Sequence, residues 1–381
     1  MERYLKKFIE QDLEKKMVFI GGPRQVGKTT LSLSLVGLNP PIKAPLPKSY
    51  INWDIVEDKE SLARGELPSN EQLIILDEIH KYAHWRNLLK GFYDKYRSQV
   101  KIVVTGSARL DYYSKGGDSL QGRYHYYRLH PFTLGEIDSS YHSDGLNALL
   151  EFGGFPEPFL SQNKRTHRRW HRERMSRVLH EDLRDLERVN EISLIDVLVD
   201  ALPKRIGSPL SLNSLRENLH VSHESIARWM NILENLYIGY SLSPYGSEKI
   251  RSIKKERKFY LWDWSVCQDE GARFENLVAS HLLKYCHFLE DWEGFSMDLR
   301  YIRSRAGKEI DFLVLRDGQP LFAVECKCRK TDLDPSIRYF SERLDEIPMF
   351  YQVHMITDDY LACEKIRVLP FSTFCRELSM P

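Results

Sequence analysis

The sequence reads as an α/β chain of three domains, and three stretches carry that reading. Near the start, the apolar run Met17-Val-Phe-Ile20 leads into a glycine-bounded loop and then into Thr30-Leu-Ser-Leu-Ser-Leu-Val36, which reads as a helix. Further on, Leu73-Ile-Ile-Leu76 has the pattern of a buried strand and is closed by two carboxylates, Asp77 and Glu78. Far downstream, two strand patterns flank Arg316-Asp-Gly318 as a hairpin would. Helical patterns lie between the strands, which argues for sheets covered by helices. The expected boundaries are 1–137, 138–258 and 259–381.

At 381 residues the chain is too long for one ordinary domain. Its formal net charge is only +1, so any basic surface must be local. No apolar run approaches the roughly 20 residues that span a bilayer, and the first ten residues lack a signal-peptide core. Six cysteines without a secreted-type framework fit a reducing cytoplasm.

The loop is Gly22-Pro23-Arg24-Gln25-Val26-Gly27-Lys28-Thr29, followed by Thr30. It spells G-x-x-x-x-G-K-[ST] between a strand and a helix. Glycines let successive backbone N–H groups turn inward around a phosphate chain, and the helix N-terminus adds favourable partial charge. Lys28 would reach the β- and γ-phosphates, and the Thr29 hydroxyl would help to hold Mg²⁺. Tyr50-Ile-Asn-Trp-Asp54 reads as a second strand with an acid at its end. In a P-loop enzyme Asp77 would bind Mg²⁺ through water and Glu78 would polarise the attacking water. The competing reading is a core strand that ends in two acids at a helix N-terminus. A third apolar strand, Lys101–Thr105, ends in Gly106-Ser107, and Gly122-Arg123 precedes the alternating strand Tyr124–Leu129. Arg123 would serve as an arginine finger, in cis or across a homo-oligomer interface, or simply close a turn.

These phrases, with Leu129-His-Pro-Phe-Thr-Leu-Gly-Glu136 and Gly153-Gly-Phe-Pro-Glu157, resemble a widespread prokaryotic group of AAA-type ATPases fused to a C-terminal domain of unknown function. The resemblance extends over essentially the whole chain. It implies an AAA-type P-loop ATPase domain with ATP and Mg²⁺ as cofactors. It also implies a γ-phosphate sensor at the tip of the third strand, which falls on Ser107 beside Thr105.

The middle of the chain opens with a strongly basic run from Lys164 to Arg177. Trp170, Met175, Val178, Leu179, Leu183 and Leu186 recur at helical spacing and suggest one long amphipathic helix. Its arginine face is a solvated surface or a phosphate-backbone contact. Ser211–Leu219, a short turn, and His223–Asn235 read as helix, turn, helix, with Ser222 as N-cap. Ile226, Trp229, Met230, Leu233 and Leu236 share one face, while His223, Glu224, Arg228 and Asn231 point outward, as groove-reading side chains would. A strand follows, and Gly246–Lys258 carries six basic residues against two acidic ones, like the wing of a winged helix. The resembling group is helical and winged-helix-like here. DNA is the expected partner; a packing or protein-contact role is the alternative.

In the last third, Glu275 lies near the start of a helix, and Asp311, Glu325 and Lys327 lie on the hairpin strands. Asp, then a gap, then Glu-x-Lys resembles the PD-(D/E)xK nucleases, which have a restriction-endonuclease-like α/β fold. In that chemistry carboxylates hold Mg²⁺ and a lysine positions the attacking water. Glu275, Asp311 and Glu325 are therefore the expected metal ligands, with Lys327 catalytic. Strand alternation makes a test. A two-residue Asp317-Gly318 turn would place Asp311 opposite Val324 and separate the carboxylates. A three-residue loop pairs Leu315 with Gln319, puts Asp311, Glu325 and Lys327 on one face, and gathers Ile310, Phe312, Val314, Phe322 and Val324 on the other. The three-residue register is the expected one. Cys326 and Cys328 read as packed thiols, since no second pair of zinc ligands accompanies them. The chain is thus expected to be a Mg²⁺-dependent ATPase coupled to nucleic-acid binding or cleavage. The alternative is a nucleotide-dependent switch or scaffold that recognises a partner without cutting.

Overall fold

The computed structural model describes residues 1–39, 45–68, 70–106, 120–137, 142–183, 191–246, 257–304, 306–329 and 332–381, excluding the side chains of 142–144 and 181–182. Ser107, Leu186 of the expected amphipathic helix and most of the expected wing lie outside these residues. The chain forms two compact units, Met1–His130 and Pro131–Pro381.

The first unit runs α1 (Lys6–Asp12), β1 (Met17–Gly21), α2 (Lys28–Ser34), β2 (Tyr50–Asn52), α3 (Val56–Ala63), β3 (Leu73–Asp77), α4 (Trp85–Tyr96), β4 (Lys101–Thr105) and β5 (Tyr124–Arg128). All five strands are parallel, in the order β2-β3-β4-β1-β5. The central strands β1, β3 and β4 are almost wholly buried, as a parallel sheet covered on both faces requires. Trp85, Leu89 and Phe92 recur along one face of α4 and join Phe19, Ile74 and Ile102 in the core. Asn52, Asp77 and Thr105 align across β2, β3 and β4. The carboxyl ends of these strands therefore converge beside the loop that follows β1, where open α/β sheets place their ligands.

The second unit runs α5 (His142–Phe152), α6 (Pro156–Ser161), α7 (Lys164–Arg177), α8 (Ile192–Ala201), β6 (Pro209–Leu210), α9 (Leu212–Leu219), α10 (His223–Asn235), β7 (Gly239–Pro244), β8 (Arg257–Leu261), α11 (Glu270–Phe288), β9 (Met297–Arg303), β10 (Glu309–Arg316), β11 (Gln319–Cys326), α12 (Pro335–Ser341), β12 (Phe350–His354), β13 (Tyr360–Cys363), β14 (Ile366–Pro370) and α13 (Phe371–Glu377). Its mixed sheet has the order β13-β14-β12-β11-β10-β9-β7-β8-β6. The long helix expected from Lys164 continues past α7 as a π turn over Val178–Asp182. Pro131 to Glu136 belong to this unit because α11 holds them. Buried Lys284 donates to Thr133 Oγ1 at 2.7 Å and pairs with Glu136, and the Leu134 N–H donates to His281 Nε2 at 3.1 Å.

Helices α9 and α10 form where the apolar spacing and caps place them. Ser211 Oγ accepts the Ser214 N–H at 3.3 Å, and Ser222 Oγ accepts the Ser225 N–H at 3.0 Å. Ile226, Trp229, Met230, Leu233 and Leu236 are buried; His223, Glu224, Arg228 and Asn231 are exposed. Strand β8 pairs antiparallel with β6 and β7, and β7 runs parallel to β9 at Ser243–Arg300 and Pro244–Tyr301. One sheet therefore crosses position 258/259, where a domain boundary was expected, and that position lies inside β8.

The β10–β11 hairpin differs from expectation. Arg316 pairs with Gln319 across a two-residue Asp317-Gly318 turn, with φ of 52° and 79°, the positive values of a tight hairpin turn. The three-residue loop is not formed. Leu315 pairs with Pro320 and Val314 with Phe322, so Leu321 is an extra residue in a β-bulge. Beyond it Phe312 pairs with Val324. The bulge reverses the parity that the short turn would impose and sets Asp311 across from Glu325. A second irregularity, against β9 between Ile310 and Leu313, turns Ile310 into the cluster of Leu313, Leu315 and Ala323. Both faces of this hairpin are thus apolar and buried, rather than one.

Candidate functional site

In the first unit the site begins at the turn out of β1. Gly22 and Gly27 have φ of 143° and 99°, and a Cβ on Gly22 would stand 2.4 Å from the Leu129 carbonyl oxygen. Only glycine permits that approach. Lys28 is buried, and its Nζ donates to the Gly22 and Pro23 carbonyls at 2.9 and 2.7 Å. The ammonium is therefore folded into the loop that would cradle a phosphate. Arg3, invisible to motif reading, is buried and donates to the Val26 carbonyl at 3.0 Å and to the His130 carbonyl. It braces the loop from the N-terminal segment.

Asp77 is the hub. Its Oδ2 accepts the Thr29 hydroxyl at 2.8 Å and the Tyr50 hydroxyl at 2.7 Å, and its Oδ1 accepts the Thr105 hydroxyl. Burial, followed by the charge of Asp77, pushes the Tyr50 hydroxyl well above the usual phenol range, so Tyr50 remains a donor. Thr29 and Asp77 together offer oxygen ligands of the kind Mg²⁺ takes alongside substrate oxygens and water. The residues present fit a nucleotide with Mg²⁺. Thr30 follows Thr29 on α2 and is half-buried, as are Arg24 and Gln25, while Val26 is buried.

Glu78 has a left-handed backbone, φ 56°, and its N–H donates to the Thr105 carbonyl at 3.1 Å. Its Oε2 lies 3.7 Å from both Lys81 Nζ and His80 Nε2. Burial brings the His80 imidazole down to about 4, so Lys81 supplies the only positive charge of the two near neutral pH. Lys81 is also held by Asp54, at 2.7 Å. Asp54, read as the acid at the end of a strand, thus anchors a lysine. Arg123 forks onto Asp94 of α4, Nε to Oδ1 at 3.1 Å and Nη2 to Oδ2 at 3.4 Å.

The carboxylates of the second unit meet, but around a lysine. Lys258 is fully buried, and its Nζ lies 3.1 Å from Glu275 Oε1, 2.6 Å from Glu309 Oε1 and 3.2 Å from Asp311 Oδ1. Lys258, the last residue of the expected wing, is inside the fold, on β8. Burial alone would drive its ammonium down, but Asp311, Glu275 and Glu309 outweigh burial and hold it above its ordinary range. Tyr260 donates to Glu275 Oε1 at 2.7 Å. Desolvation and then the Asp311 charge push the Glu275 carboxyl up to about 7, against the pull of Lys258. Across the hairpin, the Asp311 N–H donates to Glu325 Oε2 at 3.3 Å and the Cys326 N–H to Asp311 Oδ2 at 2.9 Å. Lys327 pairs with Glu325 at 2.8 Å and Asp334 at 2.9 Å. Among the described residues, no three His, Cys, Asp or Glu side chains are grouped to hold a metal ion. The expected metal set Glu275, Asp311 and Glu325 does not fit Mg²⁺ here, because an ammonium takes the centre and Lys327 is held by two acids.

Comparison with known proteins follows this division of the site. Residues 14–138 match a family described as an AAA domain. Residues 143–269 and 270–374 match two families described as domains of unknown function, DUF8612 and DUF4143. An uncharacterized protein of Methanocaldococcus jannaschii is 23% identical over 403 residues, covering 95% of this chain and 88% of that protein. Uncharacterized proteins of Mycobacterium tuberculosis and Haemophilus influenzae are 24% and 22% identical, each over 84% of this chain and over 71% and 85% of their own lengths. A signal transduction ATPase with a tetratricopeptide repeat sensor, from Pyrococcus horikoshii, aligns at a TM-score of 0.22 and 12% identity. That alignment spans 75% of this chain and 46% of the other, a likeness too low to define a shared fold. None of the described helices is long and apolar enough to cross a membrane. The AAA-domain match, over a parallel sheet that ends in this glycine loop, supports an AAA-type P-loop ATPase family for the N-terminal region.

Proposed function

We propose that this protein is an ATP-hydrolysing molecular switch, whose nucleotide state is passed to a partner-recognising second unit. The observation that carries the reading is the junction of Thr29, Tyr50 and Thr105 on Asp77, beside a complete phosphate loop. Bound Mg²⁺ would supply Lewis-acid charge at the phosphates. The chain's own residues would orient the nucleotide through the loop N–H groups and Lys28, and Glu78 would polarise the attacking water once released from Lys81. ATP turnover and nucleotide binding test this together. Lys28→Ala is expected to lose both, whereas Glu78→Gln should retain ATP and hydrolyse it about 100-fold or more slowly. Hydrolysis by Lys28→Ala at the unmodified rate would overturn the reading.

A nucleic-acid partner is the second reading, favoured by the middle segment. The run β6, α9, α10, β7, β8, with β8 paired between β6 and β7, has the strand and helix order of a winged helix. The outward side chains of α10 are polar. Fluorescence anisotropy with labelled duplex DNA is expected to show salt-sensitive binding that Arg228→Glu weakens. Absence of binding at low salt, with and without ATP, would leave a protein partner for the switch. Cleavage is not proposed, since Glu275 and Asp311 are closed around Lys258 and Glu325 is paired with Lys327.

A further inference from the structure

The carboxylate cluster of the second unit already contains a cation. We infer that the Lys258 ammonium is the resident cation of this cluster, standing where a divalent metal would be needed, and that it fastens the middle segment to the C-terminal sheet.

The inventory of donors and acceptors supports this. A lysine ammonium has three hydrogens and no acceptor. Lys258 has three carboxylates in reach, at 2.6 to 3.2 Å. Of these, Asp311 has both oxygens engaged, Oδ1 with Lys258 and Oδ2 with the Cys326 N–H. The Glu275 oxygen that faces Lys258 also accepts the Tyr260 hydroxyl. Glu325 is turned to Lys327 and to the Asp311 N–H. A Mg²⁺ ion needs six oxygens near 2.0–2.1 Å in octahedral array, and it would have to sit against a buried positive charge. The site is therefore filled, electrically and sterically, from within.

The sources of the parts give the cluster a second property. Lys258 and Tyr260 are alternate residues of β8, and so point to one face. They belong to the segment that matches one family of unknown function, 143–269. Glu275, Glu309 and Asp311 belong to the segment that matches the other, 270–374. Neither segment alone holds a balanced set: one would bury an ammonium, the other three carboxylates. A buried ion pair that loses one partner is strongly destabilising, because the other charge is left buried and unpaired.

The inference does not depend on nucleotide binding and can be tested on the nucleotide-free, full-length chain. The first measurement is Mn²⁺ binding to the unmodified protein by electron paramagnetic resonance and calorimetry, with Asp311→Asn and Thr29→Ala to locate any ion. No Asp311-dependent site is expected, and Mn²⁺ binding abolished by Asp311→Asn but not by Thr29→Ala would overturn the inference. The second measurement is thermal unfolding of Lys258→Met, expected to fall by roughly 6 °C or more, with Lys258→Arg recovering part of the loss because it keeps the charge. Lys258→Met melting with the unmodified chain would equally overturn it. Should Lys258→Met not fold, the loss supports the fastening role when Lys258→Arg folds, and the Mn²⁺ measurement decides the other half.

Discussion

Three hydroxyls and one carboxylate define the phosphate site, and their legibility in the sequence differs. Gly22 to Thr29 could be read directly, because phosphate binding demands fixed residue types at fixed local spacing. Tyr50 could not, because its hydroxyl reaches Asp77 only through the alignment of β2 with β3. The burial of Lys258 could not be read for the same reason: it is one of six basic residues in the wing-like segment, and only the pairing of β8 and the position of α11 bury it. His281 is another residue whose chemistry is set by distant packing. Its Nδ1–H donates to the Leu277 carbonyl at 2.8 Å while Nε2 accepts from Leu134, so both nitrogens of the neutral ring are used. Burial lowers its value from 6.5 to about 3. A base held below its unfolded value costs nothing above pH 6.5, and the unfolded chain gains the proton first as pH falls. The stability His281 contributes should therefore drain by on the order of 1.4 kcal/mol per pH unit below about 6.5, levelling near 3. Denaturant midpoints of the unmodified chain and of His281→Gln, measured from about pH 7 to about pH 5, should differ by an amount that changes with this slope, because the subtraction removes Glu275 and His80, which titrate in the same window.

Among the elements, the β10–β11 hairpin shows how two departures can cancel. The Asp317-Gly318 pair favours a two-residue turn, and the need to unite Asp311 with Glu325 favours the opposite parity. A regular hairpin satisfies one of these; the extra Leu321 satisfies both. Bulges of this kind leave little trace in composition, so the shared face of Asp311 and Glu325 was legible while the register that produces it was not. The caps of α9 and α10 were easier, since each depends on one serine and the next few amides. Gly318 gives the turn its test. At φ 79° a side chain is strained, although nothing stands within 4 Å of an added Cβ. Gly318→Ala should therefore lower stability by about 1 kcal/mol through the backbone alone. Chemical denaturation measures the loss, and a neutral result would mean that the turn opens to another form.

For the whole molecule, the sequence suggests three domains; three family models match residues 14–138, 143–269 and 270–374, and the last two lie within one compact unit, Pro131–Pro381. Residues 131–381 behave as one because β7 and β9 share a sheet and α11 grips Thr133 and Glu136. Such joints pair residues far apart in the chain, and no local pattern announces them. Limited proteolysis of the full-length protein should accordingly yield a resistant fragment that extends from near Pro131 through the C-terminal sheet, read by mass spectrometry. Accumulation of separate fragments divided near 258/259 would count against a single second unit. The Lys258 cluster also bears on descent. A gene rearrangement that brought the 143–269 segment to a new neighbour would strand an ammonium, and one that left 270–374 behind would strand its acids. The two segments are therefore expected to be inherited as a couple, with substitutions at Lys258 tolerated only when Glu275, Glu309 or Asp311 changes in the same lineage.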